Sequence, residues 1–267
     1  MTKGELISLL SEITDEAASE ASIILSELFG VSAAEQMLSS TRDYDSQRLG
    51  QVLERRAKRE PLSYIIGYAY FCSEKYYLTP DTLIPRADTE LLVECAAKLI
   101  PEGGYFADLC TGSGCVAIST LAQRADTYAF AIDISEGACE CARRNAVENG
   151  VSDRLRVMCA DVFALPLGAK YDAILSNPPY IPSSVIHSLS EEVKHEPKIA
   201  LDGGEDGMDF YRFITKNYRE RLNDGGFFAF EIGYDQEEQI KEVARQLGMS
   251  CEVRRDYSNN PRVAIIR

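Results

Sequence analysis

The amino-acid sequence predicts an α/β protein in which a mostly parallel sheet carries helices on both faces and follows a small helical domain. Three observations carry this reading. Before about residue 60 only a helical apolar period occurs. From about residue 88 onward, short apolar runs of strand type alternate with helical segments. A glycine-rich turn follows the first of those strands. The 267 residues, 45% apolar and 26% charged, suit one large or two modest globular domains. The net charge of −14 argues against duplex nucleic acid as the main partner, because phosphate binding asks for a basic footprint. No stretch approaches the roughly 18 consecutive apolar residues of a membrane span. Glu5 and Glu12 interrupt the first apolar run, so it does not read as a secretory signal and the expected compartment is the cytoplasm.

Taken in order, Leu6, Leu9, Leu10 and Ile13 recur at helical spacing, and Ala21, Ile24, Leu25 and Leu28 form a second such stripe that ends at Gly30. Further helices are expected over Ser32–Leu38 and Asp45–Arg59; the cationic run Arg55, Arg56, Lys58, Arg59 reads as a solvated face. Residues 1–60 are thus a helical domain. Residues 61–87 are a linker, where Tyr64, Tyr68, Tyr70, Phe71, Tyr76 and Tyr77 crowd around Gly67 and a β-hairpin turns at Ser73-Glu74-Lys75. Residues 88–267 form the αβ domain. Its helices are expected over 89–99, 116–123, 136–149, 209–222 and 236–247, and its strands over 105–109, 128–132, 155–159, 171–175 and 227–232. Two closing strands, 251–255 and 262–266, flank the turn-rich Asp256–Pro261 and suit an antiparallel hairpin at the sheet edge.

Eight cysteines show no C-x-x-C and no ligand spacing, and His187 and His195 lack neighbouring ligands, so reduced thiols and no metal site are expected. Ligands on such sheets bind at the carboxyl ends of the strands. Asp108 nearly ends the first strand, Asp133 ends the second and Asp161 follows the third, beside the turn Cys110-Thr111-Gly112-Ser113-Gly114. The turn also satisfies G-x-G-x-x-A, so a dinucleotide has to be considered. A pyrophosphate there would meet Asp108 as a like charge, whereas S-adenosylmethionine brings an ammonium and a sulfonium that Asp108 favours. Asp133 then suits ribose hydroxyls and Asp161 the adenine amino group. One such Asp would read as an ordinary cap; three in register with a glycine loop point to the cofactor.

The strand 171–175 runs into Ser176-Asn177-Pro178-Pro179-Tyr180-Ile181. Two prolines stiffen this loop, so Asn177 Oδ1 and the Pro178 carbonyl can each accept one N–H of a planar –NH₂ while the Tyr180 ring packs against its plane. Adenine, guanine, cytosine and carboxamide groups all meet that description.

With these residues the chain resembles the release factor glutamine methyltransferases (the PrmC/HemK family). Pro61–Gly67 followed by Phe71 looks like the family linker. Leu83-Ile84-Pro85-Arg86-Ala87-Asp88-Thr89-Glu90 is similar to its L-I-P-R-P-x-T-E signature, and His195-Glu196-Pro197, Leu201, Gly207 and Arg255-Asp256-Tyr257 complete the set. The resemblance implies a class I methyltransferase fold, Rossmann-like, with a mostly parallel seven-stranded sheet, an antiparallel edge hairpin and a helical domain that holds a protein substrate. It implies methyl transfer from S-adenosylmethionine to the amide of the Gln in the Gly-Gly-Gln motif of peptide chain release factors. Cys110 to Gly114, Asp133, Val162 and Asn177 correspond to cofactor positions, Asn177 to Tyr180 to the glutamine loop, and Arg86 and Phe71 to the mouth of the site. Asn177, Pro178 and Tyr180 are the catalytic candidates. Two departures stand out: Cys110 replaces the first glycine of the D-x-G-x-G loop, and Ala87 replaces the signature proline. The implied reaction is one in-line displacement without a general base, carried by a monomer with no direct nucleic-acid or membrane partner. The alternative is an amino-methyltransferase acting on an exocyclic amine of a nucleic-acid base, which shares the Asn-Pro-Pro-Tyr loop but asks for a basic recognition region.

Overall fold

A computed structural model of the chain describes residues 1–38, 41–164 and 168–267. They divide into two units, Met1–Gly67 with Ser190–His195, and Tyr68–Leu189 with Glu196–Arg267.

In the first unit, helices α1 (Lys3–Leu10), α2 (Ala17–Phe29), α3 (Ala33–Leu38) and α4 (Ser46–Ala57) follow the expected apolar stripes. Thr2 starts α1 with a capping box to Glu5, Asp45 caps α4 through the Gln47 and Arg48 amides, and Gly30 ends α2 in the left-handed conformation. Leu6, Leu10, Ala21, Ile24, Leu25 and Leu49 are fully buried between the helices, each large side chain stabilising by about 1.5–3 kcal/mol. A fifth helix, α5 (Leu62–Ile66), stands where the linker reads as β structure; Gly67 closes it with φ 84. The cationic run is not a uniformly solvated face. Arg56 is 1% exposed and donates to both Glu20 oxygens at 2.9 and 2.8 Å, to Glu192 Oε1 at 2.9 Å and to the Glu60 carbonyl at 2.7 Å.

The second unit opens with the hairpin β1 (Tyr68–Phe71) and β2 (Glu74–Tyr77). Its turn is Cys72-Ser73, both at positive φ, so Glu74 and Lys75 belong to the strand rather than to the turn expected there. Helix α6 (Glu90–Leu99) then leads into β3 (Tyr105–Leu109), α7 (Cys115–Gln123), β4 (Tyr128–Asp133), α8 (Glu136–Glu148), β5 (Leu155–Cys159) and β6 (Tyr171–Ser176). After a stretch of short 3₁₀ turns come α9 (Asp209–Tyr218), β7 (Leu222–Glu231), α10 (Glu237–Gln246), β8 (Cys251–Arg255) and β9 (Pro261–Ile266). Every predicted strand is present, with β7 extended backward by five residues to Leu222.

The seven strands lie in the order β5-β4-β3-β6-β7-β9-β8. All pairs are parallel except those that β9 makes with β7 and β8, so the edge hairpin stands as expected. Two apolar layers cover the faces: Leu92, Phe106, Ile118 and Leu121 belong to one, Ile174, Tyr211, Phe228, Phe230 and Ile240 to the other. The order reverses between β3 and β6, where α/β sheets open a crevice at the strand ends. Among the described residues no helix is long and apolar enough to cross a membrane, and no group of His, Cys, Asp and Glu could hold a metal ion.

Candidate active site

The crevice between β3 and β6 opens into a cavity of about 250 Å³. Leu109 and Ser176 are register partners at the ends of these strands, and the Ser176 hydroxyl donates to the Leu109 carbonyl at 2.5 Å, which locks the two strand ends together. Asp108, Cys110, Thr111, Gly112 and Ser113 line one wall, Asp133, Asp161 and Val162 a second, and Asn177 and Pro179 a third. Strands separated by 20–70 residues thus bring most of the predicted site to one place.

The glycine loop is wound by left-handed residues at Cys110 (φ 59), Gly112 (φ 55) and Gly114 (φ 83). Cys110 therefore occupies a conformation that suits the glycine it replaces and strains a residue with a Cβ. The Gly112 amide donates to Asp133 Oδ2 at 2.8 Å, and a Cβ on Gly112 would meet no protein atom within 4 Å, so a ligand can approach this backbone closely. Gly114 acts differently. It starts α7, and a Cβ there would stand 2.9 Å from Ile118 Cδ1 and 3.1 Å from Ala142 Cβ. It shapes the loop from below and is not among the residues that line the cavity.

Each of the three aspartates is fixed by its own neighbourhood. Asp108 is 1% exposed; burial pushes its carboxyl up to about 7 against the opposing hydrogen bonds from Thr111 Oγ1 (2.5 Å) and the Ala117 amide (3.2 Å), with the Asp133 charge adding to the rise. Asp133 accepts the Gly112 amide on one oxygen and the Ser135 amide (2.9 Å) on the other; burial raises its pKa despite these bonds. Asp161 Oδ1 accepts from the Phe163 amide at 2.8 Å.

Asn177 follows β6, and its Nδ2 donates to Thr89 Oγ1 at 3.2 Å, which leaves Oδ1 as the free end of the amide. Behind it the loop is held from three sides. Ile181 exchanges backbone bonds with Leu201 and Gly203 (3.0 and 2.9 Å), and Gln236 Nε2 donates to the Tyr180 carbonyl at 3.0 Å. Gly203 and Gly207 press against the loop, since a Cβ would stand 2.7 Å from Tyr180 Cα in the first case and 2.3 Å from Tyr180 O in the second. Arg86 lines the cavity and pairs with Glu196, which is 2% exposed and also accepts the Ile84 amide at 3.0 Å. The Glu196 carboxylate thus pins the Ile84–Arg86 segment at the rim.

Three expectations need correction. Phe71 does not reach the mouth of the cavity: it is 2% exposed in the apolar core, edge-on to Tyr76 with ring centroids 5.9 Å apart. Pro178 is buried behind Asn177 and is not among the lining residues. The Tyr180 ring is not on the cavity wall either; its hydroxyl donates to Glu231 Oε1 at 3.2 Å, and its ring packs on the core under β7. Conversely, Thr89, Ile134, Phe163 and Phe210 line the cavity without having been singled out. Phe163 makes ring contacts with Phe210 and Phe213 at 4.8 and 4.7 Å, and its position directly after Asp161-Val162 was the available signal.

Comparison with known proteins accords with this geometry. Residues 5–67 match the PrmC N-terminal domain, and residues 86–204 match the methyltransferase small domain. A release factor glutamine methyltransferase of Moorella thermoacetica is 40% identical over 219 residues, covering 80% of this chain and 77% of that protein. One from Aquifex aeolicus is 33% identical over 270 residues, covering 99% of this chain and 96% of that protein. Among solved structures, a methyltransferase from Pyrococcus furiosus is similar in fold, with a TM-score of 0.53 at 19% identity over 83% of this chain and 98% of that one. Similarity at this level runs through the helical unit as well as the sheet, and the chain belongs to the release factor glutamine methyltransferases.

Proposed function

We propose that the protein transfers a methyl group from S-adenosylmethionine to the side-chain amide nitrogen of the glutamine in the Gly-Gly-Gln motif of peptide chain release factors. The donor set of the cavity fits the cofactor. Each Asp133 oxygen spends one lone pair on a backbone amide and keeps another for a ribose hydroxyl. The Ser113 hydroxyl lines the cavity, is 2% exposed and makes no hydrogen bond with the described residues. Asp108 stands ready for an ammonium, Gly112 for close backbone contact, Asp161 for an amino group, and Val162 and Ile134 for the faces of a flat ring. When bound, S-adenosylmethionine supplies a methyl carbon made electrophilic by its sulfonium.

The chain's own contribution is to make a poor nucleophile usable. An amide nitrogen has its lone pair delocalised into the carbonyl. An acceptor gripping one of its hydrogens stabilises the positive charge that develops on nitrogen and turns the lone pair toward the incoming carbon. Asn177 Oδ1 is that acceptor. The single observation that supports it is the bond from Asn177 Nδ2 to Thr89 at the cavity wall, which occupies the donor end of the amide and leaves Oδ1 as its acceptor end. Tyr180 serves from behind, its hydroxyl tied to Glu231. Arg86 offers a cation at the rim for the protein substrate.

The test is turnover of a full-length release factor with S-adenosylmethionine, read by mass spectrometry of its Gly-Gly-Gln region. Asn177→Ala is expected to lower kcat by about 10²–10³-fold and to leave cofactor affinity within about twofold. Parent-like turnover by this variant would refute the assignment.

A further inference from the structure

Glu196 stands in the connection between β6 and α9, just before the short turn Lys198–Ala200, and its carboxylate is buried although the proposed transfer does not use it. Its Oε2 accepts the Ile84 amide at 3.0 Å, and its Oε1 accepts from Arg86 Nη2. Leu83, Pro85 and Arg86 line the cavity, as do Ile199 and Ala200, a few residues beyond Glu196. The same connection reaches the Asn177 loop, where the Leu201 carbonyl accepts the Ile181 amide at 3.0 Å. One buried carboxylate therefore clasps two segments of the cavity wall that lie far apart along the chain.

The chemistry of the substrate says what that clasp can serve. A Gly-Gly-Gln motif has one side chain to offer, that of the glutamine, and its glycines present only main-chain groups. A main-chain carbonyl is recognised by an N–H donor. Among the described residues Arg86 is the one cation that lines the cavity. Its guanidinium carries five N–H donors in a fixed plane, and the single hydrogen bond it makes with the described residues is the one to Glu196. The Arg86 side chain is 41% exposed, so its remaining donors stay open to a substrate. A free arginine gives up rotamer freedom when it binds; one already anchored on a buried carboxylate has given up part of it beforehand.

We infer that Glu196 is a positioning residue that holds the Arg86 guanidinium at the mouth of the cavity as a donor for a main-chain carbonyl of the Gly-Gly-Gln loop. This rests on the reading of the cavity as the site of release-factor methylation. The two roles are separate: Asn177 acts on the reacting nitrogen, whereas Glu196 and Arg86 act on where the loop around it sits.

The experiment compares Glu196→Gln, Arg86→Ala, their double variant and Asn177→Ala by steady-state kinetics on a full-length release factor, with calorimetric binding of S-adenosylhomocysteine as the control. In Glu196→Gln the amide oxygen can keep the Ile84 bond, but its NH₂ then meets the guanidinium as donor against donor. KM for the release factor is expected to rise by about 10–100-fold, as for a lost hydrogen bond to a charged group, with kcat and the dissociation constant of S-adenosylhomocysteine within about threefold of the parent. Arg86→Ala should raise KM to a similar degree. The double variant should add less than about twofold to Arg86→Ala, because Glu196 then has no guanidinium to place. If Glu196 merely braced the wall, the two effects would multiply in the double variant and cofactor affinity would fall with them; either outcome overturns the inference. Parent-like KM in Glu196→Gln or in Arg86→Ala overturns it as well. A contact to a neutral carbonyl keeps the ratio of variant to parent KM steady between about 0.05 and 0.3 M salt; a ratio that collapses marks an acidic side chain as the partner and overturns it too. Parent-like turnover by Asn177→Ala overturns the reading beneath it instead. Should Glu196→Gln fail to fold, Glu196→Asp, one methylene too short to span both partners, replaces it in the cycle and the same outcomes decide.

Discussion

Replacing Asp108 by asparagine exchanges a carboxyl for a neutral amide of the same shape at a point where charge is expensive. In the folded chain burial holds the Asp108 proton up to about pH 7, whereas an unfolded aspartate releases it near 3.8. Folding therefore takes up a proton between these limits, and stability falls as the pH rises through them. From pH 5 to pH 7 the penalty grows by about 1.4 kcal/mol per unit. The parent thus loses about 3 kcal/mol through this one group, and above pH 7 the loss levels off. An asparagine Oδ1 can still accept from Thr111 Oγ1 and the Ala117 amide, which both reach a single oxygen of Asp108. Asp108→Asn is thus expected to unfold with a smaller decline between pH 5 and pH 8 than the parent. The gap should widen by about 3 kcal/mol, or roughly 6–10 °C in Tm for a chain of this size. Urea unfolding at the two pH values without ligand measures it. Calorimetry adds the converse: a cationic ligand favours the ionised carboxylate, so parent affinity for S-adenosylmethionine should rise through pH 5–7, and the variant should lack that rise. Parallel stability profiles in parent and variant would show Asp108 ionised throughout and refute the reasoning.

Asp133→Ala removes the acceptor proposed for the ribose hydroxyls and should weaken S-adenosylmethionine binding by about 10–100-fold, as expected for hydrogen bonds to a charged group; unchanged affinity in calorimetry would move the ribose elsewhere. At Cys110 the usual order of glycine and alanine should invert. With φ at 59, Cys110→Gly should be more stable than Cys110→Ala by about 1 kcal/mol in urea unfolding. In the helical unit, Arg56→Ala leaves Glu20 and Glu192 facing an empty site and should cost about 3–5 kcal/mol, while Arg55→Ala, at a half-exposed pair with Glu60, should cost under about 1 kcal/mol.

The elements were legible in the sequence because burial imposes a period on local residues. The strands over 105–109, 155–159 and 251–255 fall where their apolar runs lie, and the helices α7, α8 and α10 agree to within a residue or two. The misreadings were also local. Leu62–Ile66 is too short for a helical period to declare itself, so the short helix that Gly67 closes went unseen within the linker. The hairpin turn shifted to Cys72-Ser73 because two consecutive residues accept positive φ without glycine, which residue type alone does not announce.

The sequence by itself determined the alternation that builds the sheet, the glycine loop, the three strand-end aspartates and the Asn177 loop, since each is written in adjacent residues or in a recurring period. Only the tertiary structure decided which way the Asn177 amide points, that Tyr180 is tied to Glu231, that Glu196 holds the rim beside Arg86, that Arg56 is buried, and that Phe71 belongs to the core. Those outcomes depend on hydrogen-bond partners and packing neighbours that lie far apart along the chain. Linear order carries no distance between such groups until the strands fix their register and bring them together.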